Sequence, residues 1–240
     1  MANLNRFTRP LWDLDTMFVF DHFTGDQSDI SAVDTVTDSG TVLIGDDVGG
    51  IVTLTPSDGS VGDNDEAYLA TPNELFKFGT NRAIYGRTRA KFTEVSAGVA
   101  NVAFGFQNAV GANSIVDDGA GLKVSGSTVG IYKVDGETVW RVASSCNGTS
   151  TVTKTNKAAT AALWYVLEIE VLDWDGTSML VSFKVDGEVL KDTLGAPIQH
   201  TVAIASATEM QMFAGIKLGG ATNNDTLLLD YWYGATCMAP

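Results

Sequence analysis

Residues 163–190 read LWYVLEIEVLDWDGTSMLVSFKVDGEVL. Alternation sorts the first half into two faces. Leu163, Tyr165, Leu167, Ile169 and Val171 share one, and Trp164, Val166, Glu168 and Glu170 share the other. A nearly pure apolar face opposite a mixed one is the pattern of a half-buried antiparallel strand. From Met179 to Val185 the pattern repeats, with Met179, Val181, Phe183 and Val185 together and Leu180, Ser182 and Lys184 opposite. Asp173-Trp174-Asp175-Gly176 separates the two runs as a hairpin turn. Asp186-Gly187 marks a second tight turn, because glycine accepts the positive φ such turns require. The stretch predicts a β-meander whose two long strands are central to a sheet.

The same reading extends outward. Arg82–Val95 predicts a strand that sets Ile84, Gly86, Thr88, Ala90 and Phe92 against Tyr85, Arg87, Arg89 and Lys91. Three cations on one face place that face in solvent or against an acidic surface. Val99–Gln107 groups Val102, Phe104 and Phe106, with Ala103 and Gly105 on the other side. Val129–Val134 and Thr138–Ser144 form a hairpin across Asp135-Gly136. Thr149–Thr155 reads as a polar strand, and Asn73–Phe78 as a helical turn or a strand start. Met210–Leu218 and Thr226–Thr236 close the chain. About a dozen strands at this spacing predict a sandwich or barrel. No fixed-period repeat or domain linker interrupts them.

The chain has 240 residues, 25 of them Gly and 5 Pro, as many short strands and permissive turns require. Residues 25–240 are expected to form a single domain. Residues 1–24 are either an extended N-terminal arm or a first strand. They concentrate Phe7, Leu11, Trp12, Phe18 and Phe20, and clustered exposed aromatics mark contact surfaces. These five are the candidate partner-binding residues. Asp13 and Asp15 stand where an apolar leader segment would lie, so no secretory signal is expected. No run of about 18 apolar residues predicts a membrane span. A net charge of −14 with only 15 Lys and Arg argues against nucleic acid, whose phosphates need clustered cations.

Three blocks align in order: WYVLEIEVLD at Trp164–Asp173, VSFKVDGEVL at Val181–Leu190, and FAGIKLGG…TLLLDYWYGA within Phe213–Ala235. With DGAGLKVSG at Asp118–Gly126 and YKVDGETVWRV at Tyr132–Val142, they resemble the concanavalin A-like (laminin-G-like) jelly roll of phage virion proteins, of the head decoration or minor capsid type. The resemblance covers roughly residues 65–236. It implies an all-β fold of two antiparallel sheets packed as a sandwich. It also implies a non-enzymatic capsid decoration protein, assembled in the host cytoplasm and resident in the virion. Its partners would be the major capsid protein and further copies of itself, as a homotrimer.

The residues supply little chemistry to set against that implication. Glu168 and Glu170 share a strand face at a spacing open to glycosidase carboxylate pairs. The "ExDxE" pattern of concanavalin-like glucanases is incomplete, however, because Leu172 stands in the third position. The two glutamates are read as a solvated face opposite Lys184 or Arg141. No nucleophile elbow, phosphate loop or zinc spacing is present, and no catalytic residue, metal or cofactor is expected. Asp63-Asn64-Asp65-Glu66, Asp46-Asp47 and Asp117-Asp118 carry oxygen ligands but match no calcium loop, and such residues are also ordinary in turns. Cys146 and Cys237 are read as two free thiols. The alternative function is a carbohydrate-binding module for host-surface glycans, using Trp140, Trp164, Trp174, Tyr231 and Trp232.

Overall fold

A computed structural model describes residues 16–24, 40–45, 49–57, 59–79, 83–94, 99–173, 175–204, 208–220 and 224–237. The strands are β1 Thr16–Asp21, β2 Thr41–Gly45, β3 Ile51–Thr55, β4 Glu66–Ala70, β5 Phe76–Phe78, β6 Ile84–Thr93, β7 Ala100–Gln107, β8 Ile115–Val116 and β9 Gly121–Leu122. They continue as β10 Thr128–Lys133, β11 Val139–Cys146, β12 Thr149–Ala158, β13 Tyr165–Asp173, β14 Ser178–Val185, β15 Glu188–Val189, β16 Gln199–Ala203, β17 Thr208–Leu218 and β18 Thr226–Cys237. Among the described residues there is no helix.

Two antiparallel sheets form a sandwich. The first runs β15-β14-β13-β6-β18-β3-β2, with β1 added on β18 and β16 on β14. The second runs β12-β11-β10-β7-β17-β4, with β5 added on β17. The expected all-β, two-sheet jelly roll is therefore the fold observed. The meander at 163–190 lies to one side, however, and β6 and β18 hold the centre of their sheet. The reason is length and patterning: β18 is 12 residues long, enough to pair β6 along one side and both β3 and β1 along the other.

Alternation builds the core. Ile84, Ala90 and Phe92 of β6, Leu167, Ile169 and Val171 of β13, and Val181 and Phe183 of β14 face inward. They meet Val102, Phe104 and Phe106 of β7, Ile131 of β10 and Met212 of β17 from the other sheet. Gly86 makes one close approach possible: a Cβ there would lie 2.7 Å from the Phe106 ring. The turns follow the sequence reading. Asp186 and Gly187 both have positive φ, 55° and 78°, as the tight β14–β15 connection requires. Within Asn73–Phe78 no helical turn forms, and only Phe76–Phe78 is strand, β5.

The outer faces of the two sheets differ. That of the second carries a further apolar cluster of Tyr68, Ala103, Tyr132, Ala143 and Phe213, closed by Ile115 and Leu122 of the β8–β9 hairpin. The first sheet shows exposed aromatic and charged side chains on its outer face instead.

Candidate functional site

The site is built by register. Outward positions of β6 are Tyr85, Arg87, Arg89 and Lys91, the cationic face expected from sequence. At the level of Arg87 the Cα partners across five strands are Phe20 (β1), Tyr233 (β18), Arg87, Glu168 (β13) and Lys184 (β14). One row along stand Phe18, Ala235, Tyr85, Glu170 and Ser182. On the other side Tyr231 pairs Arg89, which pairs Val166. At strand spacings of about 4.8 Å, each five-strand row spans about 19 Å.

Three chemical zones result. Rings dominate on β1 and β18: Phe18 and Phe20 are 45% and 42% exposed. They continue edge-to-face through Phe20–His22 at 4.5 Å, Phe20–Tyr233 at 6.1 Å, His22–Tyr231 at 6.0 Å and Tyr85–Tyr233 at 5.8 Å. Cations hold the middle. Arg89 Nη1 donates to Asp230 Oδ2 at 2.6 Å, and the Arg89 guanidinium and Lys91 ammonium lie 4.6 and 5.0 Å from the Trp164 ring centre. Carboxylates form the third zone. Tyr85 Oη donates to Glu168 Oε2 at 2.6 Å, and Lys184 Nζ to Glu170 Oε1 at 2.9 Å. Burial, reinforced by Glu168, raises the Tyr85 hydroxyl far above the usual tyrosine range. Burial raises Tyr231 and Tyr233 as well. All three phenols therefore stay neutral donors at ordinary pH.

A β-bulge puts the tyrosines here. Leu227 and Leu229 face the core, and strict alternation would send Tyr231 and Tyr233 after them. The β18–β6 register shifts between Leu229 and Tyr231, so Trp232 turns inward, 0% exposed, and the tyrosines turn out. Thr88 Oγ1 donates to the Tyr231 carbonyl at 2.7 Å, which satisfies a backbone acceptor at the bulge.

The sequence candidates divide accordingly. Phe18 and Phe20 lie on the face as members of β1. Phe7, Leu11 and Trp12 fall outside the described residues, as does Trp174. Of the aromatics named for glycan contact, Tyr231 and half-buried Trp164 reach the face. Trp140 and Trp232 are core residues, Trp140 packing on Phe92 and Tyr165 at 6.0 and 5.3 Å. Glu168 and Glu170 do share the outward face, and Lys184 does meet Glu170. Arg141 does not: it pairs with Glu137 on the other sheet, at 2.7 Å. Tyr85 was visible in the alternation beside the three cations, whereas Tyr233 needed the bulge.

Two of the acidic loops meet on the second sheet. The Asp118 amide donates to Asn64 Oδ1 at 3.3 Å. Among their oxygens sits the ammonium of Lys217, 1% exposed in its side chain. It bonds Glu66 Oε2 at 3.1 Å, Asn113 Oδ1 at 2.5 Å and Asp117. A protein cation thus occupies the place where the oxygens converge. Asp46-Asp47 lies outside the described residues. Cys146 is a buried free thiol.

The sequence matches no protein-family model and no curated protein. Solved structures do resemble this one. An endo-1,3-β-glucanase from Streptomyces sioyaensis superimposes with a TM-score of 0.63 at 15% identity, covering 96% of this chain and 100% of its own. Lectin I from Ulex europaeus, in complex with the methyl glycoside of α-L-fucose, gives 0.55 at 10% identity, covering 93% and 98%. An endo-β-1,4-glucuronan lyase from Trichoderma reesei gives 0.54 at 13% identity, covering 92% and 95%. The fold is that of the concanavalin A-like lectins and glucanases. At these identities the likeness establishes the architecture, which the fold shares among binding proteins and enzymes alike.

Proposed function

We propose that the protein binds carbohydrate on the outer face of the β1-β18-β6-β13-β14 sheet. One observation carries this: exposed rings, forked cations and carboxylates stand in register on the outward side of one sheet, while the opposite sheet's outer face is closed over by its own hairpin. A pyranose has a C–H face and a rim of hydroxyls, so it suits flat rings flanked by donors and acceptors. The solved relatives include a lectin in complex with a fucoside and an endoglucanase, which supports the same ligand class.

Binding without cleavage is the form of this reading that the carboxylates favour. A general acid is normally kept protonated by an apolar, unpaired setting. Glu170 instead meets the Lys184 ammonium, and Glu168 accepts from Tyr85. An oligosaccharide panel tests the proposal. The wild-type protein should bind at least one class, and a Phe20→Ala, Tyr233→Ala double variant should lose that binding while its thermal transition persists. A blank panel at high protein concentration would refute it.

The capsid-decoration reading rests on the sequence resemblance and on the same exposed Phe18 and Phe20, which suit a subunit contact. Phe18→Ser with Phe20→Ser should then abolish attachment to a particle, and native mass with electron microscopy would show whether such a particle exists.

A further inference from the structure

We infer that the sugar recognised is acidic, and that Arg87 takes its carboxylate. The inference rests on the carbohydrate reading above and narrows it. Each other cation in the rows has a partner: Arg89 has Asp230 and Trp164, Lys91 has Trp164, and Lys184 has Glu170. Arg87 makes no ion pair among the described residues. Its guanidinium carbon lies 5.8 Å from the centre of the Tyr231 ring, and its Nε is buried without a protein hydrogen-bond partner. The carboxylate whose Cα faces it, Glu168, is engaged by Tyr85.

That buried Nε is closed to a ligand; the part of the guanidinium left to meet one is its terminal Nη pair, which has no hydrogen bond or ion pair among the described residues. Arginine presents planar, paired N–H groups that match the two oxygens of a carboxylate. Strand order sets Arg87 between the exposed rings of β1 and β18 and the glutamates of β13, with its guanidinium over the Tyr231 ring. A uronate could lay its C–H face toward Tyr233 and Phe20 and direct its carboxylate at Arg87. The chain's net charge of −14 does not oppose this at contact range. Screening over about 8 Å at physiological salt leaves the nearest groups to decide; these are Arg87 and Arg89 together with Glu168, which faces Arg87 but is held by Tyr85, and Asp230, which is paired with Arg89.

The test titrates the full chain by calorimetry with oligogalacturonate, oligoglucuronate and oligomannuronate, and with the carboxyl-reduced form of each. At least one acidic oligomer should bind, more weakly as salt rises, and carboxyl reduction should weaken it about tenfold or more. Arg87→Gln should erase that difference between acidic and reduced forms. Arg87→Lys, which keeps the charge without the fork, should retain only part of it. Reduced oligomers binding as tightly as acidic ones would overturn the inference and leave the carbohydrate reading standing. So would an acid preference that survives in Arg87→Gln. Absence of binding to acidic and reduced oligomers alike would overturn the inference, and a blank on the oligosaccharide panel as well would overturn both.

Discussion

Replacing Lys217 by Met isolates the energetics of the internal cation. The thioether can follow the lysine stem, so packing changes little, while the ammonium disappears from among Glu66, Asn113 and Asp117. Glu66 is 4% exposed and cannot be re-solvated in place. Asp117 is 48% exposed in its side chain and can turn to water. The loss is therefore chiefly that of one buried carboxylate left unpaired, about 3–5 kcal/mol for a buried pair broken on one side. The lower end is expected here, because Tyr68 Oη still donates to Glu66 at 2.8 Å and the Asn113 amide at 3.0 Å. Urea unfolding at pH 7 should show about 3 kcal/mol less stability at unchanged slope. Adding Glu66→Gln should recover most of it, since no buried charge then remains. A loss below about 1 kcal/mol, or a double variant no better than the single, would refute the account of Lys217 as the counter-charge of this cluster.

Further outcomes follow from other sites. His200 is 4% exposed, bonded to Ser144 Oγ and Thr153 Oγ1 at 2.8 and 3.0 Å, and burial pushes it down to about 4. Unfolded chains take up that proton near pH 6.5 and folded ones near 4. This group's contribution is present above pH 6.5 and fades by up to about 3 kcal/mol as pH falls to 4; the wild-type minus His200→Gln stability difference across pH 4–8 measures it. Gly86→Ala should destabilise by about 1–3 kcal/mol through overpacking against Phe106, because that ring is 0% exposed and held by Phe76 at 5.0 Å; Phe106→Leu in the same chain should relieve part of it in thermal melts. Thr88→Val should cost about 1 kcal/mol by orphaning the Tyr231 carbonyl at the bulge, read from equilibrium unfolding.

Sequence alone determined what depends on period. Alternation in Ile84–Phe92, Val102–Phe106 and Leu167–Val185 fixed which side chains line the shared apolar layer, since a strand turns every second residue to the same side. It also put Tyr85 and the three cations on one face, and Glu168 with Glu170 on another. Asp186-Gly187 and Asp135-Gly136 fixed their turns because few residues accept positive φ. Only the tertiary structure decided which strands lie side by side, and so which polar faces meet. That choice brought β6 between β13 and β18 and set Arg87 in one row with Phe20, Tyr233 and Glu168. It also decided the phase of β18 beyond Leu229. A bulge is a local break in period that the residues there do not announce; it turns Trp232 into the core and both tyrosines outward. The faces of Tyr231 and Tyr233 follow from that single packing event, 143 residues along the chain from the Thr88 hydroxyl that holds it.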